Sequence, residues 1–594
     1  MNDAGQGPGA VERPALANET GDYWGSDVMA LMLREIGLPY VALNPGASYR
    51  GLHDSLVNLL GNTEPQMLLC LHEEHAVAIA HGYAKVAGKP MGAIVHSNVG
   101  LMHATMAIFN AWCDRTPVIL FGATGPVAAD QRRPWIDWIH TAADQGALVR
   151  NYTKWDDQPN SVGAVPESVL RAYKMATTAP QGPVYVCFDA ALQESKIGDL
   201  PPLPKAGRFK APAQAAPDPA ALAEAAALLA KAERPVILAG RSDRSEASWA
   251  RRVQLAEALD ATVLTDPKTG AVFPTAHRLQ GPPTGNQPSP EALALLREAD
   301  VILSLDWVDL GGALKNAYGD DEIAAKIILA SLDHQLHNGW SMDYQALPPA
   351  DIHLAVAPDV AVAALLPLIK PRAAKRSAAP AGEDAAPEAA KDVITPVSLA
   401  HMLREAVGSR TTCMIRTPLA WGGHAWEVAH PLDMLGGDGG GGIGGGPGMA
   451  VGAALALKDG GHGRLPIAVL GDGDTLMGVT ALWTAVHYRI PVLIVVANNN
   501  SFFNDELHQD RMARQRERPV ANRWIGQRIA DPEPDLAVLA RGQGATGFGP
   551  VRDPAELVRT LRSAIETVEA GGVALVDVRV EPGYATSMGR HYSR

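Results

Sequence analysis

The stretches Leu465-Pro-Ile-Ala-Val-Leu-Gly-Asp-Gly-Asp474 and Ile490-Pro-Val-Leu-Ile-Val-Val-Ala-Asn-Asn499 decide the fold of this chain. Each is an apolar run that ends in polar residues, and apolar side chains recur at helical spacing between them, so the segment predicts a strand–helix–strand unit. Two strands joined in this way are parallel neighbours. Asp472 and Asn499 should then lie side by side at the carboxyl edge of a sheet, where open α/β sheets bind ligands. A carboxylate, an amide oxygen and a helix N-terminus together favour a diphosphate carried on Mg²⁺.

The bulk properties indicate an ordinary globular chain of several domains. Its 594 residues are too many for one core and predict about three or four domains. The formal net charge of −13 argues against a nucleic-acid partner, whose binding depends on neutralising phosphates. The polar start lacks the pattern of a signal peptide, and no run of about 18 apolar residues predicts a membrane span. We therefore expect a cytoplasmic protein.

Short apolar strands alternate with amphipathic helices along most of the chain. This rhythm predicts an α/β protein with three domains, each built on a doubly wound parallel sheet. Two segments rich in Ala, Pro and charged residues are typical of linkers. The predicted organisation is a disordered tail at 1–20, a first domain at 21–199, a linker at 200–218, a central domain at 219–370, a linker at 371–394 and a third domain at 395–594.

The Gly-Asp-Gly motif followed by an Asn pair resembles the cofactor signature of thiamine diphosphate enzymes. This resemblance implies that Asp472, the Asn499 side chain and the backbone carbonyl of Ser501 ligate Mg²⁺. It also implies that the three domains are, in order, pyrimidine-binding, central and diphosphate-binding. Asp474 stands where the family commonly has Ser or Ala, and a further negative charge beside a diphosphate should weaken binding unless it points away. The cofactor-binding residues implied for this segment are Gly471, Asp472, Gly473, Asp474, Asn499 and Ser501.

The first domain supplies the carboxyl group that the resemblance requires. His72-Glu73-Glu74-His75 follows a predicted strand and begins a predicted helix, and the segment resembles the catalytic-glutamate segment of acetolactate synthase-like enzymes. Glu73 is the matching residue. It would bond to the pyrimidine ring and favour the tautomer that removes the C2 proton of the cofactor. Because two glutamates in a first helical turn are also favoured by the helix dipole, this assignment depends on the third-domain motif as well.

Two glycine-containing loops complete the resemblance. In the run Gly439-Gly-Gly-Gly-Ile-Gly-Gly-Gly446, Ile443 would support the bent cofactor and the Gly441 carbonyl would accept a hydrogen bond from it. The loop Asn44-Pro-Gly-Ala-Ser48 matches the first substrate-facing loop of the family. Since the pyrimidine-binding and diphosphate-binding domains of such enzymes meet across a subunit interface, the resemblance implies a homodimer or homotetramer.

The stretch Val95-His-Ser-Asn-Val-Gly100 bears on which reaction follows. Benzoylformate and pyruvate decarboxylases have a His at the position of His96, and a His with a pKa near neutral is a suitable proton donor. A His that ends an apolar strand is also often a structural residue, so both interpretations stay open. Benzoylformate decarboxylases have Ser at the position of Ala47, whereas the Ser of this chain is its neighbour, Ser48. The candidate substrate residues are Ala47, Ser48, His72, His424 and His508.

The resemblance implies a non-oxidative 2-keto acid decarboxylase or carboligase that depends on thiamine diphosphate and Mg²⁺ and acts through a C2 ylid and an enamine. The alternatives are acetolactate synthase-type acyl transfer, an acyl-CoA lyase or decarboxylase of the same superfamily, and a non-catalytic cofactor-binding subunit, which the presence of Glu73 disfavours. FAD is not expected, because Asp306-Trp-Val-Asp replaces the Arg-Phe-Asp that acetolactate synthases carry after this strand. The arginine-rich segment Arg511–Arg518 is either a solvated helix face or a cover of the active site.

Overall fold

The computed structural model describes residues 11–15, 22–282, 284, 288–335, 347–375, 392–421, 425–437 and 439–583. These residues fall into two compact units. The first unit combines the residues up to 212 with residues 439–550 and 563–577, and the second combines residues 213–437 with the remainder. None of the described helices is long and apolar enough to cross a membrane.

The first unit opens with a six-stranded parallel sheet. The strands of this part are β1 (Tyr23–Trp24), β2 (Tyr40–Leu43), β3 (Gln66–Leu69), β4 (Met91–Val95), β5 (Val118–Thr124), β6 (Asp156–Asp157), β7 (Val184–Asp189) and β8 (Lys196–Gly198). Its helices are α1 (Gly25–Glu35), α2 (Arg50–Asp54), α3 (Glu73–Ala87), α4 (Ser97–Cys113), α5 (Ile136–His140), α6 (Val165–Thr177) and α7 (Ala190–Gln193). The sheet order is β3-β2-β4-β5-β7-β6 with parallel neighbours throughout, and β1 pairs with β8 in a small antiparallel ribbon.

The second unit contains a five-stranded parallel sheet. Its strands are β9 (Pro235–Ala239), β10 (Thr262–Thr265), β11 (Val301–Leu305), β12 (Lys326–Ala330) and β13 (Ile352–Leu354), in the order β10-β9-β11-β12-β13. The helices are α8 (Pro219–Lys231), α9 (Glu246–Leu259), α10 (Pro290–Glu298), α11 (Leu310–Tyr318), α12 (Pro358–Leu365) and α13 (Pro396–Val407), and a further strand is β14 (Thr412–Arg416). Neighbouring side chains of β11 belong to two different clusters of buried apolar residues. Both faces of this sheet are therefore covered, as a continuous apolar strand predicts.

The rest of the chain adds a third set of elements. They are α14 (Gly446–Asp459), β15 (Leu465–Gly471), α15 (Asp472–Gly478), α16 (Ala481–His487), β16 (Val492–Asn498), α17 (Phe503–Gln515), α18 (Leu536–Gly542), β17 (Thr546–Val551), α19 (Pro554–Glu569) and β18 (Val573–Arg579). β15 and β16 are parallel neighbours, and β18 and β17 follow in the sheet. The crossover between β15 and β16 is two short helices rather than one. The chain bends after Gly478, where a Cβ would lie 2.4 Å from the Gly444 carbonyl oxygen.

Helices α3 and α14 of the first unit pack with their backbones in contact. A Cβ on Gly82 of α3 would lie 2.1 Å from the Met449 carbonyl oxygen, and one on Gly452 of α14 would lie 1.9 Å from the Ile79 carbonyl oxygen. Neither position therefore accommodates a side chain. This close approach brings the N-terminal ends of the two helices, which begin at Glu73 and Gly446, toward one region.

The three parallel-sheet α/β domains predicted from the sequence are confirmed. The domain boundaries themselves stay predictions.

Candidate active site

Glu73 lies at the start of α3, just after β3 ends. His72 is the N-cap residue, and its Nδ1 accepts a hydrogen bond of 3.1 Å from the backbone N–H of Glu74. This cap fixes the first turn, since it satisfies a backbone donor that the helix itself leaves unpaired. The Glu73 side chain is buried. A Cβ on Gly100 would lie 3.1 Å from Glu73 Oε1, so the absence of a side chain at Gly100 leaves room for the carboxyl group.

A residue that the sequence did not single out contacts Glu73. His103 of α4 places its Nδ1 3.1 Å from Glu73 Oε2. The His103 ring stacks on the His72 ring, with centroids 5.1 Å apart and planes at 15°. One side-chain nitrogen or oxygen atom from each of His72, Glu73 and His103 lies within 4.8 Å of the corresponding atoms of the other two residues. His96, Gly100 and His103 recur at helical spacing on α4, and this periodicity is the signal that could have identified His103.

His96 is the N-cap residue of α4 and is held by Ser48. Ser48 Oγ lies 2.8 Å from His96 Nδ1, and the backbone N–H of Ser48 donates to the same nitrogen at 3.4 Å. Ser48 Oγ in turn accepts the backbone N–H of Ser97 at 3.1 Å. Because Nδ1 accepts the backbone N–H, the neutral ring carries its proton on Nε2, and the Ser48 hydroxyl donates to Nδ1.

The surroundings of His96 favour its neutral form. Burial lowers the pKa of His96, and the nearby His140 lowers it further, while the Glu73 carboxylate acts in the opposite direction. The His96 and His140 rings meet edge to face with centroids 4.6 Å apart. No sequence pattern pointed to His140, because it comes from the separate helix α5.

The first-domain loop packs directly on His96. A Cβ on Gly46 would lie 2.2 Å from the His96 Cβ, so only glycine fits there. Ser48 is buried, whereas Ala47 is exposed and its carbonyl accepts a hydrogen bond of 3.0 Å from Arg50 Nη1. A surface depression of about 590 Å³ lies on the exposed side of this loop, between Ala47 and residues Arg50 to Asn58. The two neighbouring loop residues thus face different surroundings.

Asp472 and Asn499 lie at the carboxyl ends of β15 and β16. Asp472 Oδ2 and Asn499 Oδ1 each accept a hydrogen bond of 3.0 Å from the backbone N–H of Ser501. Asp472 Oδ1 accepts a further hydrogen bond of 2.9 Å from the backbone N–H of Gly473. Both residues lie in the first turn of α15, whose N-cap residue is Gly471. Burial raises the pKa of the Asp472 carboxyl, and the N–H donors partly offset this effect. The two side-chain oxygens therefore converge on one point.

The two adjacent asparagines, Asn498 and Asn499, make different hydrogen bonds. Asn498 is 2% exposed and donates from Nδ2 to Asp577 Oδ1 at 2.8 Å. Its Oδ1 accepts the backbone N–H of Asn500 at 3.0 Å. Asn498 thus fixes the end of β16, and Asn499 is left to face the Asp472 carboxylate. The Ser501 hydroxyl donates to the buried Glu506 at 2.6 Å, a partner that the sequence did not reveal.

Asp474 points into the glycine-rich loop. Its Oδ1 accepts the backbone N–H groups of Gly444 and Gly446 at 2.7 and 3.2 Å. The carboxylate therefore holds the loop at the start of α14, and this contact accounts for the residue that departs from the family pattern. Ile443 is 38% exposed at the tip of this loop. Gly441 adopts a φ of +67°, a conformation that favours glycine.

The glycine-rich loop lies beside Glu74, the neighbour of Glu73, within the chain. A Cβ on Gly444 would lie 3.3 Å from Met477 and 3.5 Å from Glu74 Oε1. The first turn of α3, the glycine-rich loop and the start of α15 therefore meet. His508 lies exposed on α17 beside Arg511, and His424 lies outside the described residues.

The oxygen atoms of this site fit thiamine diphosphate and Mg²⁺. Asp472, Asn499 and Ser501 offer the hard oxygen ligands that Mg²⁺ prefers. Polar atoms also remain for a bound molecule at the start of α4, where Ser97 Oγ and Asn98 Oδ1 are buried without a hydrogen-bond partner among the described residues. Buried polar groups are rarely left unpaired without a functional reason.

Comparisons with known proteins identify three domains along the chain. The N-terminal thiamine pyrophosphate-binding domain matches residues 23–148, the central domain of these enzymes matches residues 222–334, and their C-terminal thiamine pyrophosphate-binding domain matches residues 417–578. Benzoylformate decarboxylase of Pseudomonas aeruginosa is 27% identical over 497 residues, which cover 79% of this chain and 85% of that protein. Acetolactate synthase of Bacillus subtilis is 25% identical over 568 residues, which cover 94% and 93%.

The fold has a counterpart among solved structures. The crystal structure of benzoylformate decarboxylase from Polynucleobacter necessarius superposes with a TM-score of 0.76 at 20% identity, covering 95% of this chain and 99% of that one. Since the three domain matches follow one another in the order that the sequence predicted, the chain belongs to the thiamine pyrophosphate (thiamine diphosphate) enzyme family.

Proposed function

We propose that this enzyme is a Mg²⁺-dependent, non-oxidative 2-keto acid decarboxylase. The observation that carries the proposal is the placement of His96, which Ser48 orients through Nδ1 at the start of the helix that also holds Gly100 and His103 against Glu73. A fixed imidazole beside the carboxyl group that activates the cofactor suits a substrate with a keto oxygen and a carboxylate.

The cofactor would be held by residues of both halves of the site. Asp472, Asn499 and the Ser501 carbonyl would ligate Mg²⁺, and the start of α15 would face the diphosphate. Gly441 and Ile443 would contact its rings. When bound, thiamine diphosphate supplies a nucleophilic carbon and then accepts the electron pair that decarboxylation releases.

Glu73 would hold and release the proton that sets the tautomer of the bound cofactor. Its burial strengthens hydrogen bonds to this carboxyl group, because the local dielectric constant is low. Gly100 gives the side chain the space that this task needs. Without a carboxyl group at this position, the cofactor would bind but would not be activated.

His96 would act as a hydrogen-bond donor in its neutral form. Two donors from Ser48 occupy Nδ1, so the Nε2–H group is the one that remains to bind a keto or carboxylate oxygen of the substrate. This role differs from a protonated His96 acting as an acid, because a proton on Nδ1 would face the backbone N–H of Ser48.

Acetolactate synthase-type carboligation is the second candidate. It is favoured by the Bacillus subtilis relative, an acetolactate synthase that aligns with 94% of this chain. Both reactions begin with attack on a 2-keto acid and loss of CO₂, and they differ in whether a proton or a second carbonyl compound is then taken up.

A substrate panel tests the proposal. The purified protein is incubated with thiamine diphosphate and Mg²⁺ and with pyruvate, benzoylformate, other 2-keto acids and acyl-CoA compounds, and CO₂, aldehyde and acetolactate are measured. Aldehyde formation in proportion to CO₂ supports decarboxylation, whereas acetolactate from pyruvate favours carboligation. Cofactor binding without turnover of any compound, equal in Glu73→Gln, would favour a non-catalytic binding subunit.

We also propose that the enzyme assembles as a homodimer or homotetramer, as its relationship to the family implies. Analytical ultracentrifugation with and without cofactor measures the assembly directly, and a monomer with full activity would contradict the proposal.

A further inference from the structure

Glu73 and its partner His103 differ sharply in their access to solvent. The Glu73 side chain is 10% exposed, whereas the His103 side chain is 60% exposed. Their side chains meet at 3.1 Å, between Glu73 Oε2 and His103 Nδ1. A buried carboxyl group is thus in hydrogen-bond contact with an imidazole that reaches the surface.

The side chains around the Glu73–His103 pair are held in their neutral forms. His72 stacks on the His103 ring, and burial lowers the pKa of His72. Tyr49 and His96 act on the pair electrostatically, and burial raises the pKa of the Tyr49 phenol, so it stays neutral. Three neutral neighbours therefore surround one carboxyl group and one imidazole.

We infer that His103 transfers protons between Glu73 and solvent. This inference rests on the proposed function, in which Glu73 exchanges a proton with the cofactor and each decarboxylation consumes one proton to form an aldehyde. In the outward direction Glu73 gives the proton on Oε2 to His103 Nδ1, and His103 gives the proton on Nε2 to water. The reverse sequence delivers one proton to Glu73, and the imidazole is neutral before and after.

The chemistry of the two side chains matches this task. Imidazole has two nitrogen atoms and can accept a proton at one while releasing a proton from the other. A carboxyl group that is buried away from water exchanges its proton slowly unless a partner provides a path. His103 touches no reacting atom in this scheme and acts through Glu73, so it is a positioning and proton-transfer residue.

Hydrogen–deuterium exchange at C2 of bound thiamine diphosphate, followed by acid quench and ¹H NMR, tests the inference without any substrate. We expect His103→Asn to slow this exchange by roughly tenfold or more, with cofactor affinity changed by less than about threefold. Added imidazole should restore part of the rate, because the position is open to solvent. His462→Asn, which replaces another exposed His, is the matched control and should leave the exchange unchanged.

A second measurement does not depend on exchange or turnover. Isothermal titration of cofactor into the protein, in two buffers of different ionisation enthalpy, counts the protons taken up or released on binding. Because His103 and the bound cofactor would share the Glu73 carboxyl group, cofactor binding should change the protonation of the Glu73–His103 pair, and this count should differ between the unmodified protein and His103→Asn. An equal count, an exchange rate unaffected by His103→Asn, or a slowed rate that imidazole does not restore would overturn the relay. Absence of C2 exchange in the cofactor-loaded, unmodified protein would overturn the proposed function together with the relay.

Discussion

At the carboxyl edge of β15 and β16 the candidate ligands are oxygen atoms that backbone N–H groups hold in place. At the carboxyl edge of the first sheet they are imidazole rings, a carboxyl group and a hydroxyl that hold one another. Asp472 and Asn499 both depend on the N–H of Ser501, whereas His96 depends on Ser48 and Glu73 contacts His103. The first edge therefore depends on main-chain geometry, whereas the second depends on side chains that single substitutions can remove.

The largest effect is expected at Glu73. Glu73→Gln should lower kcat by about a thousandfold, because general acid–base groups typically contribute factors of this size, while the affinity for thiamine diphosphate changes little. Steady-state rates and cofactor fluorescence titrations measure the two quantities. Glu74→Gln in the same helical turn is the control and should retain activity, and equal losses in both variants would contradict the assignment.

The two asparagines offer the sharpest test of the oxygen-rich edge. Asn499→Ala should weaken Mg²⁺-dependent cofactor binding by about a hundredfold, within the range seen when a metal site loses a supporting group. Asn498→Ala should instead lower the thermal stability, because it leaves Asp577 without its 2.8 Å partner. Cofactor titration and differential scanning calorimetry separate these outcomes. A larger loss of affinity in Asn498→Ala would reverse the assignment.

The side-chain-anchored edge is tested at Ser48. Ser48→Ala removes the hydroxyl that donates to His96 Nδ1 and should lower kcat/KM by up to about tenfold, the value of one buried hydrogen bond. Ala47→Ser adds a hydroxyl at the position where benzoylformate decarboxylases carry Ser and serves as the comparison. If Ala47→Ser rescues Ser48→Ala, the two positions are interchangeable and the orientation of His96 does not depend on Ser48.

Asp474 connects the two halves through the glycine-rich loop. Asp474→Ser removes a charged acceptor from the Gly444 and Gly446 N–H groups and should weaken cofactor binding by a few-fold, because the loop loses its anchor. It should also lower the melting temperature measured by calorimetry. Tighter cofactor binding would instead show that repulsion between the Asp474 carboxylate and the diphosphate is the larger effect.

The smallest effect is a shift in the pH profile. Burial lowers the pKa of His96 and the nearby His140 lowers it further, so His140→Asn should raise that pKa. If the neutral form of His96 is required, activity is lost as the pH falls through its pKa. The acidic limb of kcat/KM should therefore move to higher pH by a few tenths of a unit. Movement in the other direction would indicate that the protonated ring is the active form.

The sequence predicted the architecture, because continuous runs of residues encode it, and short motifs supplied the candidate residues on which the proposed function depends. The strands around Asp472 and Asn499 and the helix at Glu73 could be read from apolar periodicity and from short motifs. His103 and His140 could not be identified with the same ease, since they approach from α4 and α5 and their proximity depends on packing. The choice between Ala47 and Ser48 likewise depended on the direction of one turn.

The contact between α3 and α14 has a consequence for engineering this enzyme. Since Gly82 and Gly452 each lie against the backbone of the other helix, main-chain contact sets the spacing between the first turn of α3 and the glycine-rich loop at the start of α14. Replacing side chains around His96 to accept a new substrate leaves this spacing untouched. The pair of helices therefore serves as a fixed frame for substitutions made around His96.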